Sequence, residues 1–462
     1  MAREYGRSLD VEVDYITIGT LRKDDVGDIV VVHDSSKGIK RWGSISLYED
    51  LFMNFMSCEI TLIDQDGGFL NQLRTEEVLV VRFKTPNLKD KEFEIRTHYF
   101  YLYKIDPVRM LPKIGGAAYT IRGISFEYFY NSLRTFSKAY RGKTHEIAEE
   151  IYKEFLQAKS ERTVKKSFTV GRPTKHDMKF TFPYVNPVDA INYLASISID
   201  EGNPDICNYV FYENKDGFAF KSITEMIETP RRVHKYKKSD TMQTPYSDFN
   251  SHFDKIITVV PAKTGDKIID THDGVWGEYF ADYDMLYKSY TPFFSPIPGQ
   301  GGNAWGKRYL SYFPKTTHLN KKALLSDKNE VFKYPLGRNR VCFSNRALYS
   351  EELPLPNGQK EYRMYQTHED EFSFQRRSMM QQINGFRVVV TVSGNSDITV
   401  GDIFELDTFI YRSNDKDKYL SGRYLVVAVH HEIVGQEYKT IVTISRDSLV
   451  SDDFDEEIDF KG

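Results

Sequence analysis

Only three cysteines, Cys58, Cys207 and Cys342, occur in 462 residues, and no two form a CxxC pair. Three widely spaced thiols build neither a disulfide framework nor a zinc ribbon. They read as buried, reduced side chains of a protein folded in cytosol. Basic excess is missing too. Lys and Arg number 62 against 66 Asp and Glu, a formal net charge of −4, which argues against a general nucleic-acid binder. No apolar run approaches the roughly 20 residues of a membrane-spanning helix, so no membrane insertion is expected. The opening stretch MAREYGRSLDVEVDY has no apolar core, so no secretory signal is expected.

Signatures of chemistry are also scarce. His145-Glu146 begins like a zinc-protease helix, but position 149 is Glu where a second His is required. His430 and His431 are adjacent; adjacent residues on a strand face opposite sides, so they read as ordinary strand positions. GQGGNAWG at 299–306 has no Walker lysine-serine pair and reads as a flexible or interface loop. The acid pairs Glu76-Glu77, Glu149-Glu150 and Glu351-Glu352 read as solvated faces, since a glycosidase needs two carboxylates across a cleft. The basic stretch from Arg231-Arg232 to Lys237-Lys238, with His234 and Tyr236 interleaved, reads as a solvated loop or a contact with an acidic protein. No catalytic, metal or cofactor residue is assigned, and no enzyme activity is expected.

Aromatics, by contrast, are abundant: 31 Tyr, 31 Phe and 3 Trp together make up 14% of the chain. Aromatic residues suit pleated, half-buried surfaces and large protein contacts. Strand-like patterns follow in the first 125 residues: Val11 to Ile18, 29–32, 52–68, 78–83, 97–104 and 118–124. In the third of these, Cys58, Ile60 and Leu62 share one face, and Asp66-Gly67-Gly68 supplies turn chemistry. No helical period interrupts them, so a β-barrel or sandwich is expected.

The middle of the chain changes period. Ile147, Ile151 and Phe155, with Ala148 and Tyr152, are spaced for an amphipathic helix around 143–159, with Thr144 as its N-cap. Asn186-Pro187 opens a second helix, Asn as cap and Pro at the first position, where its missing N–H costs nothing. A hairpin is expected around Asn214-Lys215-Asp216-Gly217. Residues 228–250 are polar and basic and read as a loop; 279–289 reads as an aromatic strand, and 291–308, rich in Pro and Gly, as a long irregular loop. A third helix is expected over 369–383, stopped at Asn384-Gly385. Strands then return at 388–392, 403–410, 424–430 and 438–445, and 451–462 is an acidic tail.

Two stretches resemble each other. EEVLVVRFKTPNLKDKEFEIRTHYFYLYKIDPV and AAYTIRGIS stand against GDIFELDTFIYRSNDKDKYLSGRYLVVAVHHEI and EYKTIVTIS. Val78 matches Ile403, and Lys89-Asp90-Lys91 matches Lys416-Asp417-Lys418. Each copy reads strand, charged loop, aromatic strand, turn, strand. A duplicated β unit is expected, and a trimer of such chains presents six similar units around one axis.

Several motifs together resemble the central hub proteins of contractile phage tail baseplates, the T4-like hub family, and the hub-like part of type VI secretion spike proteins. They are FMSCEITLIDQDGGFLNQL with EEVLVVRF, FPYVNPVDAINYLASIS, SDFNSHFDKIITV, and DITVGDIFELD with YLSGRYLVVAVHHEI and TISRDSL. The resemblance implies a mainly β chain with an α+β middle domain and two similar antiparallel β-barrel tube domains, the second discontinuous. Its divisions are 1–125 for the first tube domain, 126–248 with 291–385 for the middle, 249–290 with 386–450 for the second tube domain, and 451–462 for the tail. It further implies a homotrimeric ring of pseudo-sixfold symmetry that adapts a sixfold tail tube to a threefold central spike around an axial channel. The partners implied are further copies of the chain, the spike, the tube or a tube-initiator protein, the tape measure protein and baseplate wedge proteins, with DNA only as passing cargo. The location implied is the virion tail baseplate, assembled in host cytoplasm. Candidate subunit-interface strands are 78–83, with Val78, Val80 and Phe83, and 403–410, with Ile403, Leu406 and Ile410, read as edges that pair between neighbours. Two other readings stay open: a tail-associated cell-wall hydrolase, and a β-rich module that binds host-surface glycans.

Overall fold

The computed structural model describes residues 10–19, 21–23, 29–31, 42–64, 77–88, 91–106, 109–111, 116–157, 165–238, 253–273, 275, 277–284, 289–293, 307–308, 318–320, 322–323, 338–343, 350–354, 360–364, 369–409, 416–417 and 419–449. Its centre is one thirteen-stranded ladder, whose strands are numbered here in chain order. The first part of the chain supplies β1 (Glu12–Gly19), β2 (Trp42–Asp50), β3 (Ser57–Asp64), β4 (Val78–Lys84), β5 (Arg96–Ile105), β6 (Arg109–Leu111) and β7 (Gly116–Ile124). The rest supplies β8 (Val233–Lys237), β9 (Ile256–Lys263), β10 (Phe386–Ser393), β11 (Ile403–Asp407), β12 (Gly422–Val434) and β13 (Glu437–Arg446). Alternating apolar residues dictate these elements. Cys58, Ile60 and Leu62 of β3, and Val388, Val390 and Val392 of β10, point inward and are buried. Each such side chain contributes roughly 1.5–3 kcal/mol. The mainly β reading with an α+β middle is borne out.

Two units within the ladder repeat one topology. The first has the order β4-β5-β7-β3-β2, and the second β11-β12-β13-β10-β9. In each, three strands form a meander. The strand preceding the meander in sequence lies beside its last member, and the strand before that lies outermost. Irregularities repeat as well. Against β7, the register of β5 skips Tyr103, between Leu102 and Lys104. Against β13, β12 skips Val427, between Val426 and Ala428. The residue pairs just before the two skips are Leu102 with Gly123 and Val426 with Ile444, which fixes the alignment of the units. By that alignment a second pair of skips also coincides, at Gly43 of β2 and at Ile257 of β9. A bulge is one extra residue at one position. Alternation alone produces no such coincidence, so the two units are a duplication. They differ in one large respect: between β9 and β10 the second unit carries residues 264–385, where β2 and β3 are joined by a short turn.

The α+β middle packs beside the ladder. Helices α1 (Phe126–Leu133), α2 (Thr144–Ile151), α3 (Pro187–Ile197) and α4 (Ile223–Glu228) accompany a hairpin of Tyr209–Asn214 and Gly217–Ser222. Gly217 takes φ +122°, and a Cβ there would lie 2.4 Å from the Ser167 hydroxyl oxygen. Ile147, Ile151, Ile191, Leu194, Phe211 and Phe220 form part of a separate core there. Helix α5 (Lys267–His272) follows β9, and α6 (Glu369–Ile383) precedes β10. No helix among the described residues is long and apolar enough to cross a membrane.

Three local readings need correction. The basic stretch read as a loop contains β8, which runs parallel to β11. Helix α2 is capped by Lys143, not Thr144: the Lys143 N–H donates to Glu146, while the Thr144 hydroxyl bonds Thr174 and Ser198. The aromatic strand at 279–289 is two strands, Gly277–Asp284 and Ser289–Phe293, paired with each other and, through the first, with Arg338–Phe343, outside the large ladder. The Gly-rich 299–306 stretch and the 451–462 tail lie outside the described residues.

Candidate functional site

The place where the two units meet is a strand-to-strand seam. β12 is long enough to serve two partners on one edge. Its first part pairs with β11, from Leu406 opposite Gly422 to Ile403 opposite Leu425. Its second part pairs with β2, from Asp50 opposite Ala428 to Ser44 opposite Val434. The β2 pattern buries Ile45, Leu47 and Glu49 on one face. Two of these fill the core, and the third is a carboxylate that needs partners there.

Glu49 finds them in Arg96 and in the 395–402 loop. The Arg96 guanidinium ion-pairs with Glu49, and the two side chains are 1% and 0% exposed. Arg96 also donates to the carbonyl oxygens of Ser396 and, at 2.6 Å, Ile398. The Thr399 hydroxyl and the Val400 N–H donate to Glu49. Arg96 and Glu49 come from the first unit and the loop from the second, so one buried charge pair fastens the units together. Thr85 adds to it: its hydroxyl donates to the Gly394 carbonyl at 3.0 Å and accepts the Ser396 N–H at 2.8 Å.

A second cluster holds the other side of that loop. Arg231 forks onto Asp402 at 2.9 and 2.6 Å, and His234 Nε2 lies 2.9 Å from the same carboxylate. Burial opposes the Asp402 charge, but the His234 and Arg231 bonds outweigh it and hold its carboxyl below the usual range. Arg232 bonds Asp397, and Lys215 reaches Glu94 at 2.6 Å. Arg231, Arg232 and His234 of the basic run are thus spent on acids of their own chain. A cleft of about 90 Å³ beside it is lined by Tyr212, Arg231 and Asp402, among others.

A third node joins the middle to the first unit. Lys166 lies between Glu127, at 3.0 Å, and Glu213, at 2.5 Å. Glu213 also accepts the Met56 N–H at 2.9 Å and the Ser125 hydroxyl. Burial and then the nearby Glu127 raise Glu213, with Lys166 opposing. Burial works against the Lys166 charge, but the two carboxylates more than offset it and its pKa rises.

The proposed interface strands are placed as follows. β4 is paired along its length with β1 on one side and β5 on the other, and β11 with β8 and β12. Neither is an edge, so pairing between neighbours through these two backbones is corrected. Their side chains are buried: Val78, Val80, Phe83, Ile403 and Leu406 all belong to cores. Val78 and Val80 sit on the β4 face that packs with Tyr99 and Tyr101, and Tyr101 packs edge-on against Phe126 and Phe129 of α1. Ile410, Lys89, Asp90 and Lys418 lie outside the described residues. His430 and His431 do face opposite ways: His430 stacks on Tyr48 at 4.4 Å, and buried His431 meets the Tyr438 hydroxyl at 2.8 Å. Sequence reasoning passed over Arg96 and Glu49. Their signal was a charge in the inward phase of a strand, Arg96 in step with Phe100 and Leu102, and Glu49 with Ile45 and Leu47.

No protein-family model matches the chain. The probable baseplate hub protein gp334 of Vibrio phage KVP40 is 22% identical over 262 residues, which are 55% of this chain and 56% of that protein. The chain thus matches little more than half the length of that relative. Among solved structures, the tail protein from Neisseria meningitidis MC58 is 9% identical, with a TM-score of 0.49 over 94% of this chain and 97% of that one. The 43 kDa tail protein of prophage MuSo2 from Shewanella oneidensis is also 9% identical, with a TM-score of 0.45 over 94% and 98%. The chain is similar to phage baseplate hub proteins, as its motifs indicated.

Proposed function

We propose that this chain is a structural hub subunit of a contractile phage tail baseplate and that it works through interfaces, with no chemistry of its own. Three copies close into a ring of six similar β units. The ring adapts a sixfold tail tube, or a tube-initiator protein, to a threefold central spike. Its bore passes DNA as cargo, and tape measure and wedge proteins contact it. It assembles in host cytoplasm and resides in the virion baseplate.

The observation that carries this reading is the duplicated unit with its matching bulges. A threefold assembly of a twofold-repeated chain presents near-sixfold geometry, which one unrepeated domain per chain does not supply. The similarity to a baseplate hub protein supports the same reading. Class-averaged images of tails, with the mass of the hub assembly, test it. The protein is expected on the tail axis in three copies; one or two copies, or a peripheral position, would overturn the proposal. Turnover of cell-wall material by the purified chain would favour the hydrolase reading instead.

A further inference from the structure

The seam inside the chain has an unfilled counterpart. In the second unit, β12 runs past the start of β11 and receives β2 along the remainder of that edge. In the first unit, the same register makes β5 and β6 together the counterpart of β12. β5 runs past the start of β4, where Val78 stands opposite Tyr101. Beyond it, β6 continues the ladder with β7, from Arg109 opposite Ala118 to Leu111 opposite Gly116. On its other edge β6 has no strand partner among the described residues. The counterpart of β2 in the second unit is β9. It pairs with β10 and, among the described residues, ends the ladder with its outer edge unpaired.

We infer that β9 of one copy adds antiparallel to β6 of the next, repeating between chains the joint that β2 and β12 make within one. This rests on the ring reading above and names the strands that close the ring. The two bulge coincidences fix its register. Ser44, Ile45 and Ser46 stand opposite Val434, Ile433 and Glu432. Their counterparts put Thr258 opposite Leu111, Val259 opposite Met110, and Val260 opposite Arg109. Further along, β9 skips Ala262 against β10, an irregularity that β2 lacks, so Tyr48 opposite His430 becomes Lys263 opposite Asp106, a cation facing a carboxylate. Asp106 already gathers Lys104 and Arg122 at 3.0 and 2.7 Å.

Exposure agrees with an uncovered joint. Ile45 and Leu47 of β2 are fully buried, whereas their counterparts on β9, Val259 and Pro261, are half-buried and exposed. On the receiving side Tyr103 is 45% exposed. An unpaired edge bearing apolar side chains is a template for strand addition. Pro261 stands where β2 has Leu47 and removes one ladder donor, so the joint between copies is the weaker of the two. Because it is head-to-tail, each copy offers both a β9 and a β6, and the contact propagates until the ring closes.

Cysteine pairs test this in the full chain. Val260→Cys with Arg109→Cys is in register; Val260→Cys with Met110→Cys is one residue out of register. Oxidation of the first double variant is expected to give a covalent ladder that ends at a closed ring on non-reducing gels. The second double variant and each single variant are expected to stay as monomer bands, with unchanged circular dichroism in all. Equal cross-linking by both pairs overturns the register and the proposal. Rings by light scattering without cross-linking overturn this joint while leaving the ring reading standing. A chain that remains monomeric, alone and in assembled tails, overturns both.

Discussion

Arg96 and Glu49 face each other inside the protein, neither more than 1% exposed, and between them they bind three backbone groups and one hydroxyl of the 395–402 loop. Removing one partner from such a pair leaves an uncompensated buried charge, a loss of roughly 3–5 kcal/mol. Arg96→Leu and Glu49→Leu are each expected to lower the unfolding free energy from urea titration by an amount of that order. The double variant is expected to recover only part of it, because the Ser396 and Ile398 carbonyls and the Thr399 hydroxyl stay unsatisfied. Single variants within 1 kcal/mol of the parent would show that the units are held by the strand seam alone.

Gly394 and Gly435 separate two reasons for glycine. A Cβ on Gly394 would fall 2.0 Å from Cδ1 of the Tyr438 ring, whereas Gly435 has φ +61° and open space around it. Gly394→Ala forces a packed ring to move and is expected to lose about 1–3 kcal/mol or more. Gly435→Ala meets only the left-handed backbone cost, about 1–2 kcal/mol. Gly435→Asn should recover much of that, because Asn tolerates this region, whereas Gly394→Asn should be worse than Gly394→Ala. Thermal midpoints of the four variants give the order, and a Gly394→Ala protein as stable as the parent would contradict the packing.

What was legible in the sequence was whatever a short window contains. The helix expected over 369–383 coincides with α6 (Glu369–Ile383), and the strands expected at 388–392 and 438–445 lie inside β10 and β13. Their apolar period and flanking Gly or Asn are local signals. β8 was missed because its charges hid its period: only His234 and Tyr236 point inward, while Lys235 bonds Glu405 at 3.2 Å and the neighbouring Arg231 and Arg232 bond Asp402 and Asp397. Those acids lie far along the chain, and so does the β12 partner of β2. Nothing in TPRRVHKYKKSD names them. The duplication was visible as pattern, but its bulges needed the register, which is a property of paired strands.

His431 sets a pH dependence. Its pKa lies well below the ordinary histidine value of 6.5, through burial and then the positive charges of Arg96, His98 and His430. Glu49, at 3.9 Å from His431 Nε2, is engaged by Arg96. A histidine depressed on folding stays neutral in the native state while the unfolded chain takes up a proton. Its contribution is complete above the unfolded pKa and declines as pH falls below about 6.5, by at most about 1.4 kcal/mol per pH unit. Stability of the parent minus that of His431→Gln cancels every other titrating group. That difference is expected to shrink from pH 7.5 to pH 5; a flat difference would mean His431 is protonated in the folded protein.

Lys166 gives a slope of the same sign in a different pH range. It is the cation that lets Glu127 and Glu213 share a buried site, each carboxylate being 2% exposed. Burial already raises Glu213, and Lys166 pulls it back down. Lys166→Met removes that restraint and leaves two buried carboxylates with no cation between them, so one carboxyl is expected to hold its proton into the neutral range. A carboxyl raised on folding contributes stability that is fully present below its unfolded pKa, about 4.3 for Glu, and lost as pH rises through the folded value. The difference between parent and Lys166→Met should therefore widen from pH 5 to pH 8, whereas that for His431→Gln changes most on the acid side. Thermal midpoints across that range measure both. Adding Glu213→Gln to Lys166→Met removes one titrating carboxyl, keeps an acceptor for the Met56 N–H, and should flatten the profile. If the two Lys166 variants ran parallel in pH, the raised carboxyl would not be Glu213.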